Sequence, residues 1–431
     1  MICNNLSINE KGHLCFAGRD TIELAKEYGT PLYLLDEEKV HENCRAYITA
    51  MKKEFGDTSL PLYAGKALCI KDIYRVMREE GMGIDVVSGG EVYTAAAAGF
   101  PMERAYFHGN NKTDADIALA MDKGVGYFVC DNAEELASIE REAESRGITQ
   151  NILIRVTPGI DCHTHQAITT GKVDSKFGVA IETGQAKELI RTALEQKHIR
   201  LMGFHCHIGS QIFETKPFTD TARIMLEFCA DIHSSLGYKA AELNLGGGIG
   251  VRYLEEHPQI DIATQISVMA AKIRDICKEL GAELPAIRME PGRSIVADAG
   301  MTLYSAGTVK IIPGFKNYVS VDGGMPDNPR YALYQSPYTV LLANRMNGEK
   351  DFICTVAGRC CESGDIIQEN VALPRPVRGD IIAVLTTGAY NYSMASNYNR
   401  LPRPPMVMLS KTGERIAVRR ETFDDLIRLD N

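Results

Sequence analysis

From Pro61 to Pro291 the chain alternates short apolar runs with longer amphipathic ones. The apolar runs are PLYAGKA (61–67), GIDVVS (83–88), AYFHGN (105–110), GYFVCD (126–131), NILIRVTP (151–158), RLMGFHCH (200–207), AELNLGGG (241–248) and AIRMEPG (286–292), eight in all. Between them apolar residues recur at helical spacing with charge on the opposite face: Ile73, Val76 and Met77, then Leu136 and Ile139, then Ile266, Ala270, Ile273 and Cys277. A short buried strand followed by an amphipathic helix, repeated eight times, predicts an α/β chain built on a (β/α)8 TIM-like barrel.

After Gly292 the pattern changes. MTLYSAGTVKII (301–312), NYVSVDGG (317–324), DFICTVAG (351–358), DIIAVLTTGAY (380–390) and PMVMLSKTGERIAVRRE (405–421) carry little helical period and are punctuated by Gly and Pro. They predict a C-terminal, mainly antiparallel β domain, a barrel or sandwich. The expected division is a barrel over 31–290 and a β domain from 1–30 and 291–431, with GHLCFAG (12–18) as an added strand.

Composition narrows the function. With 431 residues, 24% charged and 45% hydrophobic, the chain is an ordinary globular protein with ample core. A net charge of -9 and the lack of any Lys/Arg run argue against a nucleic-acid partner. No apolar run approaches the ~20 residues that span a bilayer, and MICNNLSINEKGHL has no signal-peptide pattern, so a cytoplasmic protein is expected. The twelve cysteines show no C-x-x-C spacing and read as small buried hydrophobes in a reducing compartment. The neighbours Cys360 and Cys361 would bridge each other only with strain.

In a barrel of this kind the active site lies at the C-terminal ends of the strands. The residues closing the runs are Lys66, Asp85 with Ser88, His108 with Asn110, Asp131, Arg155, His205 with His207, Gly246 to Gly248, and Glu290. Lys66 is either a strand-end lysine reaching solvent or a Schiff-base lysine activated by partial burial. NLGGGIG (244–250) is either a tight turn or a phosphate cradle with free backbone N–H groups. It is no dinucleotide fingerprint, because the third glycine would fall at Val251. Glu290 needs a cationic partner, either Arg293 or a protonated pyridine nitrogen. His205 and His207 share a strand face, and with DCHTH (161–165) could hold zinc; equally they could be a satisfied core pair, or one a flat ring stacked on a cofactor. Lysine, phosphate cradle, ring stacker and acidic partner together suit pyridoxal 5'-phosphate.

These residues lie in motifs that make the chain resemble the alanine-racemase-like, fold type III pyridoxal-phosphate decarboxylases, and within them the diaminopimelate decarboxylases, over nearly its whole length. The motifs are YAGKA (63–67), FHGNNKT (107–113), RVTPGIDCHTH (155–165), TGKVDSKFG (170–178), FHCHIGSQ (204–211), NLGGGIG, EPGRS (290–294), CESGD (361–365) and GAYNYSMASNYN (388–399). The resemblance implies that Lys66 carries the cofactor, His207 stacks on its ring and Glu290 pairs with its nitrogen. Asp85 would also contact the cofactor, and Ser210, Gly247, Gly248 and Tyr390 would hold its phosphate. Arg293, Arg330 and Tyr334, with Tyr390 nearby, would bind the distal carboxylate of the substrate, and Glu362 its distal ammonium. Cys361 and Glu362 would reach across a homodimer interface into the neighbouring site. The chain departs from the family pattern at Leu68, where asparagine is usual, and at Pro326 and Tyr331 within MPDNPRYALY (325–334).

The implied reaction is decarboxylation of meso-2,6-diaminopimelate at its D-centre, giving L-lysine and CO2. A thiol with a pKa near ~8.5 is mostly protonated at neutral pH, which makes Cys361 the candidate proton donor. Cys360 reads as structural and Asp365 as ordering the loop. Rival readings are a related decarboxylase acting on carboxynorspermidine, ornithine, lysine or arginine, a zinc-dependent barrel hydrolase, and an inactive binding protein of the same fold.

Overall fold

The computed structural model describes residues 1–159 and 175–431. Two compact units are present: Asn43–Gly250 with Ile260–Ser294, and Met1–Glu42 with Val251–Gln259 and Ile295–Asn431.

In the first unit all eight apolar runs form strands: Leu60–Ala64, Gly83–Val86, Ala105–Phe107, Tyr127–Cys130, Gln150–Thr157, Ile199–His205, Glu242–Asn244 and Ala286–Met289. Each pairs in parallel with the next, and the eighth pairs with the first, which closes the barrel. Such strands are covered on both faces, so they read as continuous apolar runs. Leu62, Tyr106, Val129 and Leu153 fill the interior. At one end Arg288 Nη2 donates to Glu242 Oε1 (2.5 Å), and Tyr106 donates to Glu242 Oε2 (2.8 Å) while accepting from Arg288 Nε (3.0 Å). This buried pair is satisfied on both sides, the condition for tolerating charge in a core.

The intervening helices begin and end where local chemistry dictates. Thr113 forms a capping box with Asp116, and Asn132 and Asp261 accept from the third helical N–H. Gly81, Gly147 and Gly281 end their helices in the left-handed conformation, which costs glycine least. Ile266, Ala270, Ile273 and Cys277 are buried along one face of Ile262–Leu280, as their spacing predicts.

The second unit is mainly antiparallel. Its long strand Gly300–Ile312 pairs antiparallel with Lys316–Val321, Ile381–Leu385 and Leu32–Asp36. Two parallel pairings interrupt the pattern, Lys316–Val321 with Phe352–Ala357 and Met406–Ser410 with Leu32–Asp36. Leu14 and Phe16, within the N-terminal segment expected to add a strand, pack against Leu34, Leu303 and Val407 in one core. The compact unit that holds the barrel begins at Asn43, not at 31, because the ladder of Leu32–Asp36 runs to the β unit. Val251–Gln259 likewise joins that unit, through the core around Tyr253, Tyr304 and Val319.

Candidate active site

The polar residues that close the barrel strands converge around Glu290. Its carboxylate accepts from Asn244 Nδ2 at Oε1 (2.7 Å) and from His205 Nε2 at Oε2 (3.2 Å), and His108 Nε2 lies 3.0 Å from Oε1. Burial alone would raise the Glu290 pKa, but His108 and His205 outweigh it and hold the carboxyl well below its usual range. Glu290 is therefore an ionised acceptor in a desolvated place. Its partners are His108, His205 and Asn244 rather than the neighbouring Arg293 weighed from the sequence.

Arg293 instead donates twice to the Ser210 hydroxyl, from Nε (3.2 Å) and Nη2 (2.8 Å). His207 Nδ1 accepts from the Gly247 backbone N–H (3.2 Å), so the ring proton of the neutral imidazole lies on Nε2. Burial first, then the charge of Lys66, drives the His207 pKa well below its usual value. Burial also lowers His205, to about 4. Asp85 is buried and raised by desolvation, and its Oδ1 has no hydrogen-bond partner among the described residues. His108 Nε2 lies 3.8 Å from it, and His108 and Lys66 both act against the rise.

Lys66 sits in a short 3-10 turn, Gly65–Ala67, directly after the first strand. Gly65 and Ala67 are buried, but Lys66 is exposed, which corrects the expectation that partial burial activates it. Leaving the strand before the lysine frees the side chain from the packed interior and makes its amine accessible.

The glycine loop is required sterically. A Cβ on Gly247 would stand 2.0 Å from the Glu290 carbonyl oxygen, and one on Gly248, whose φ is +116°, 2.3 Å from that of Gly209. The loop N–H groups are not all free, however. Gly246 N donates to Asn244 Oδ1 (3.0 Å) and Gly247 N to His207 Nδ1 (3.2 Å). The motif thus orients the ring stacker and the acid as well as clearing space for an anion.

Two residues that the sequence reading did not single out for a role stand out. Asn244, wholly buried, is the link between loop and acid, and Lys112 ties two strand ends together by donating to Gly109 O, Val129 O and Glu135 Oε1 (2.7 Å). Glu91, raised to about 7 by burial, accepts from Val87 N (2.8 Å) and senses Asp85 and Lys66. The zinc reading relied on His205, His207 and 161–165, and 161–165 lie outside the described residues. Among the described residues the group close enough for a metal is His108, His205 and Glu290, without His207, whose Nδ1 already accepts from Gly247.

In the β unit, the Arg330 guanidinium lies over the rings of Tyr334 (5.6 Å) and Tyr390 (5.0 Å) and donates to Ser336 Oγ (3.2 Å). Tyr331, one of the unusual residues, donates to Glu369 (3.0 Å). Cys361 and Glu362 are exposed, and the Cys361 backbone N–H donates to Asn399 Oδ1 (2.8 Å). Asp365 is buried and accepts from the backbone N–H groups of Met325 (2.6 Å) and Cys360 (2.7 Å). It joins the RCCESGD loop to the segment that leads to Arg330. Burial, with Asp365 adding to it, pushes the Cys360 thiol up to about 12.

The residues present fit pyridoxal 5'-phosphate: an accessible amine, an ionised buried acid for a ring nitrogen, a neutral flat ring, and a loop that admits no Cβ. Comparison with known proteins agrees. A family profile described as "Pyridoxal-dependent decarboxylase, pyridoxal binding domain" matches residues 39–297. The diaminopimelate decarboxylase of Bacillus subtilis is 43% identical over 98% of this chain and 96% of its own, and that of Halalkalibacterium halodurans 45% over the same shares. The crystal structure of diaminopimelate decarboxylase from M. jannaschii in complex with L-lysine superposes with a TM-score of 0.92 at 35% identity, covering 100% of this chain and 98% of that one. With matches of this extent on a site of this chemistry, the chain belongs to the diaminopimelate decarboxylase family of pyridoxal-dependent decarboxylases.

Proposed function

We propose that the protein decarboxylates meso-2,6-diaminopimelate at its D-centre, releasing CO2 and L-lysine, with pyridoxal 5'-phosphate at the C-terminal rim of the barrel. One observation carries the chemistry: Glu290 is an ionised, desolvated carboxylate gripped by Asn244 and His205 beside a loop that only glycine can form. When bound, the cofactor supplies an electron sink for the pair left on Cα as CO2 departs.

The chain's own residues hold and orient. Lys66 anchors the cofactor through its accessible amine. Glu290 keeps the ring nitrogen protonated where negative charge develops, and neutral His207 covers the ring face without adding a competing charge. Asp85 adds a buried carboxyl near Lys66. Ser210, Gly247, Gly248 and Tyr390 hold the phosphate. Arg293 and Arg330, with Tyr334 and Tyr390, bind the distal carboxylate. The placement of Arg330 against two aromatic rings supports this, because it holds a planar fork ready for bidentate pairing. Glu362 meets the distal ammonium, and Cys361 returns a proton to Cα. Both are exposed on the β unit, which suits a homodimer in which each copy lends them to the other's site. The working place proposed for this enzyme is the cytoplasm; among the described residues no helix is long and apolar enough to cross a membrane.

Two arginines assigned to one carboxylate separate diaminopimelate from ornithine, lysine or arginine, whose distal ends are cationic and would call for carboxylates. Comparing kcat/KM for diaminopimelate with kcat/KM for those amino acids and for carboxynorspermidine tests this. A higher value for any of them would overturn the substrate assignment.

A further inference from the structure

We propose that Asn244 and His205 form a positioning layer that fixes the Glu290 carboxylate in one orientation and couples it to the glycine loop. This rests on the reading of Glu290 as the partner of the ring nitrogen.

Asn244 closes the seventh strand and is 0% exposed. Its Oδ1 accepts from Gly246 N–H (3.0 Å), which leaves Nδ2 to donate to Glu290 Oε1 (2.7 Å). The orientation of the amide is fixed by this network, since a backbone N–H needs the oxygen. His205 grips the other carboxylate oxygen through Nε2 (3.2 Å). Its Nδ1 is buried with no partner among the described residues, so a proton there would be unsatisfied, and the neutral Nε2–H tautomer is the one that fits. His108 Nε2 stands 3.0 Å from Oε1 but makes no hydrogen bond among the described residues, so it acts on the charge and not on the orientation. Each carboxylate oxygen therefore meets a donor from the barrel side, and rotation would forfeit both.

The backbone repeats the link, because Glu290 N–H donates to Gly246 O (2.9 Å). Gly247, next in the loop, orients His207. A shift of the loop on seating a phosphate thus moves the ring-nitrogen acceptor and the ring stacker with it, and the three contacts to the cofactor act as one unit. Lys66, Arg155 and Asp85 also face this group electrostatically, but none takes part in the hydrogen bonds that set its orientation.

The test is a ratio of two affinities on the apo-protein. Pyridoxal 5'-phosphate is titrated against 1-deazapyridoxal 5'-phosphate, which has a CH in place of the ring nitrogen and keeps the aldehyde and phosphate. Wild type is expected to prefer the natural compound, and Glu290→Ala to lose that preference. Asn244→Ala and His205→Phe are expected to reduce it by about five- to tenfold, the effect of losing a donor to a buried charge. A variant that is only less stable weakens both ligands alike and leaves the ratio unchanged, and His205→Phe serves if Asn244→Ala does not fold. If Glu290→Ala loses the preference while Asn244→Ala and His205→Phe keep the wild-type ratio, the positioning layer is refuted and the reading of Glu290 stands. If Glu290→Ala also keeps the ratio, the ring-nitrogen assignment fails and the layer with it.

Discussion

Arg293 donates two hydrogen bonds to the hydroxyl of Ser210, at 3.2 and 2.8 Å. The two residues are assigned to different ligands, Ser210 to the cofactor phosphate and Arg293 to the substrate carboxylate, yet each constrains the other. Ser210→Ala should therefore weaken cofactor binding and raise KM for diaminopimelate together, each by about tenfold, as expected for one hydrogen bond to a buried charge. Cofactor titration and steady-state kinetics on the same preparation check this, and a change in only one of the two would separate the roles.

The glycine loop makes a steric prediction. Gly247→Ala would drive a Cβ to 2.0 Å from the Glu290 carbonyl oxygen, a backbone atom that cannot swing aside. The expected loss is about 2–4 kcal/mol, read from the denaturant midpoint, together with loss of cofactor. Gly364→Ala is the control. Nothing lies within 4 Å of its added Cβ and its φ is not positive, so a change within about 0.5 kcal/mol is expected.

Asp327 gives the β unit a pH-dependent stability. Burial raises its pKa to about 7, against the lowering effect of the Tyr304 hydroxyl that donates to it and of Gly324 N–H (3.0 Å). An unfolded chain would release this proton near pH 3.8, the ordinary value for Asp, so between there and about 7 the native state holds more protons than the unfolded one. Stability then falls as pH rises through that window and levels off above it. Asp327→Asn, which stays neutral, should gain on wild type by on the order of 2 kcal/mol between pH 5 and pH 8. Denaturation curves at the two pH values decide it, and a constant difference would contradict the assignment.

If Cys361 serves the neighbouring copy, two inactive variants can repair each other. Mixing Lys66→Ala with Cys361→Ala protein after subunit exchange should restore about one quarter of wild-type activity, because random pairing makes half the molecules mixed dimers, each with one complete site. No recovery, with exchange verified, would place Cys361 in the site of its own chain.

Much of the barrel was legible because its signals are local. Eight apolar runs with polar closing residues gave the strands and brought Glu290, His205, His207 and the glycine loop to one rim. What escaped depends on partners far along the chain. Leu32–Asp36 reads as an isolated short run, and its ladders are to Gly300–Ile312 and Met406–Ser410. Asn244 looks like a polar interruption in AELNLGGG until Glu290, 46 positions on, is seen to accept from it. The exposure of Lys66 turns on where the strand stops: it ends at Ala64, and the lysine, two residues on, falls in the turn that follows.

The central claim is tested most directly by measuring labelled CO2 from meso-diaminopimelate that carries the label in the carboxyl of its D-centre. Wild-type protein supplied with pyridoxal 5'-phosphate should release the label and form L-lysine in equal amounts, and Lys66→Ala should release none. Equal release by both proteins, or none by wild type with the cofactor bound, would contradict the account.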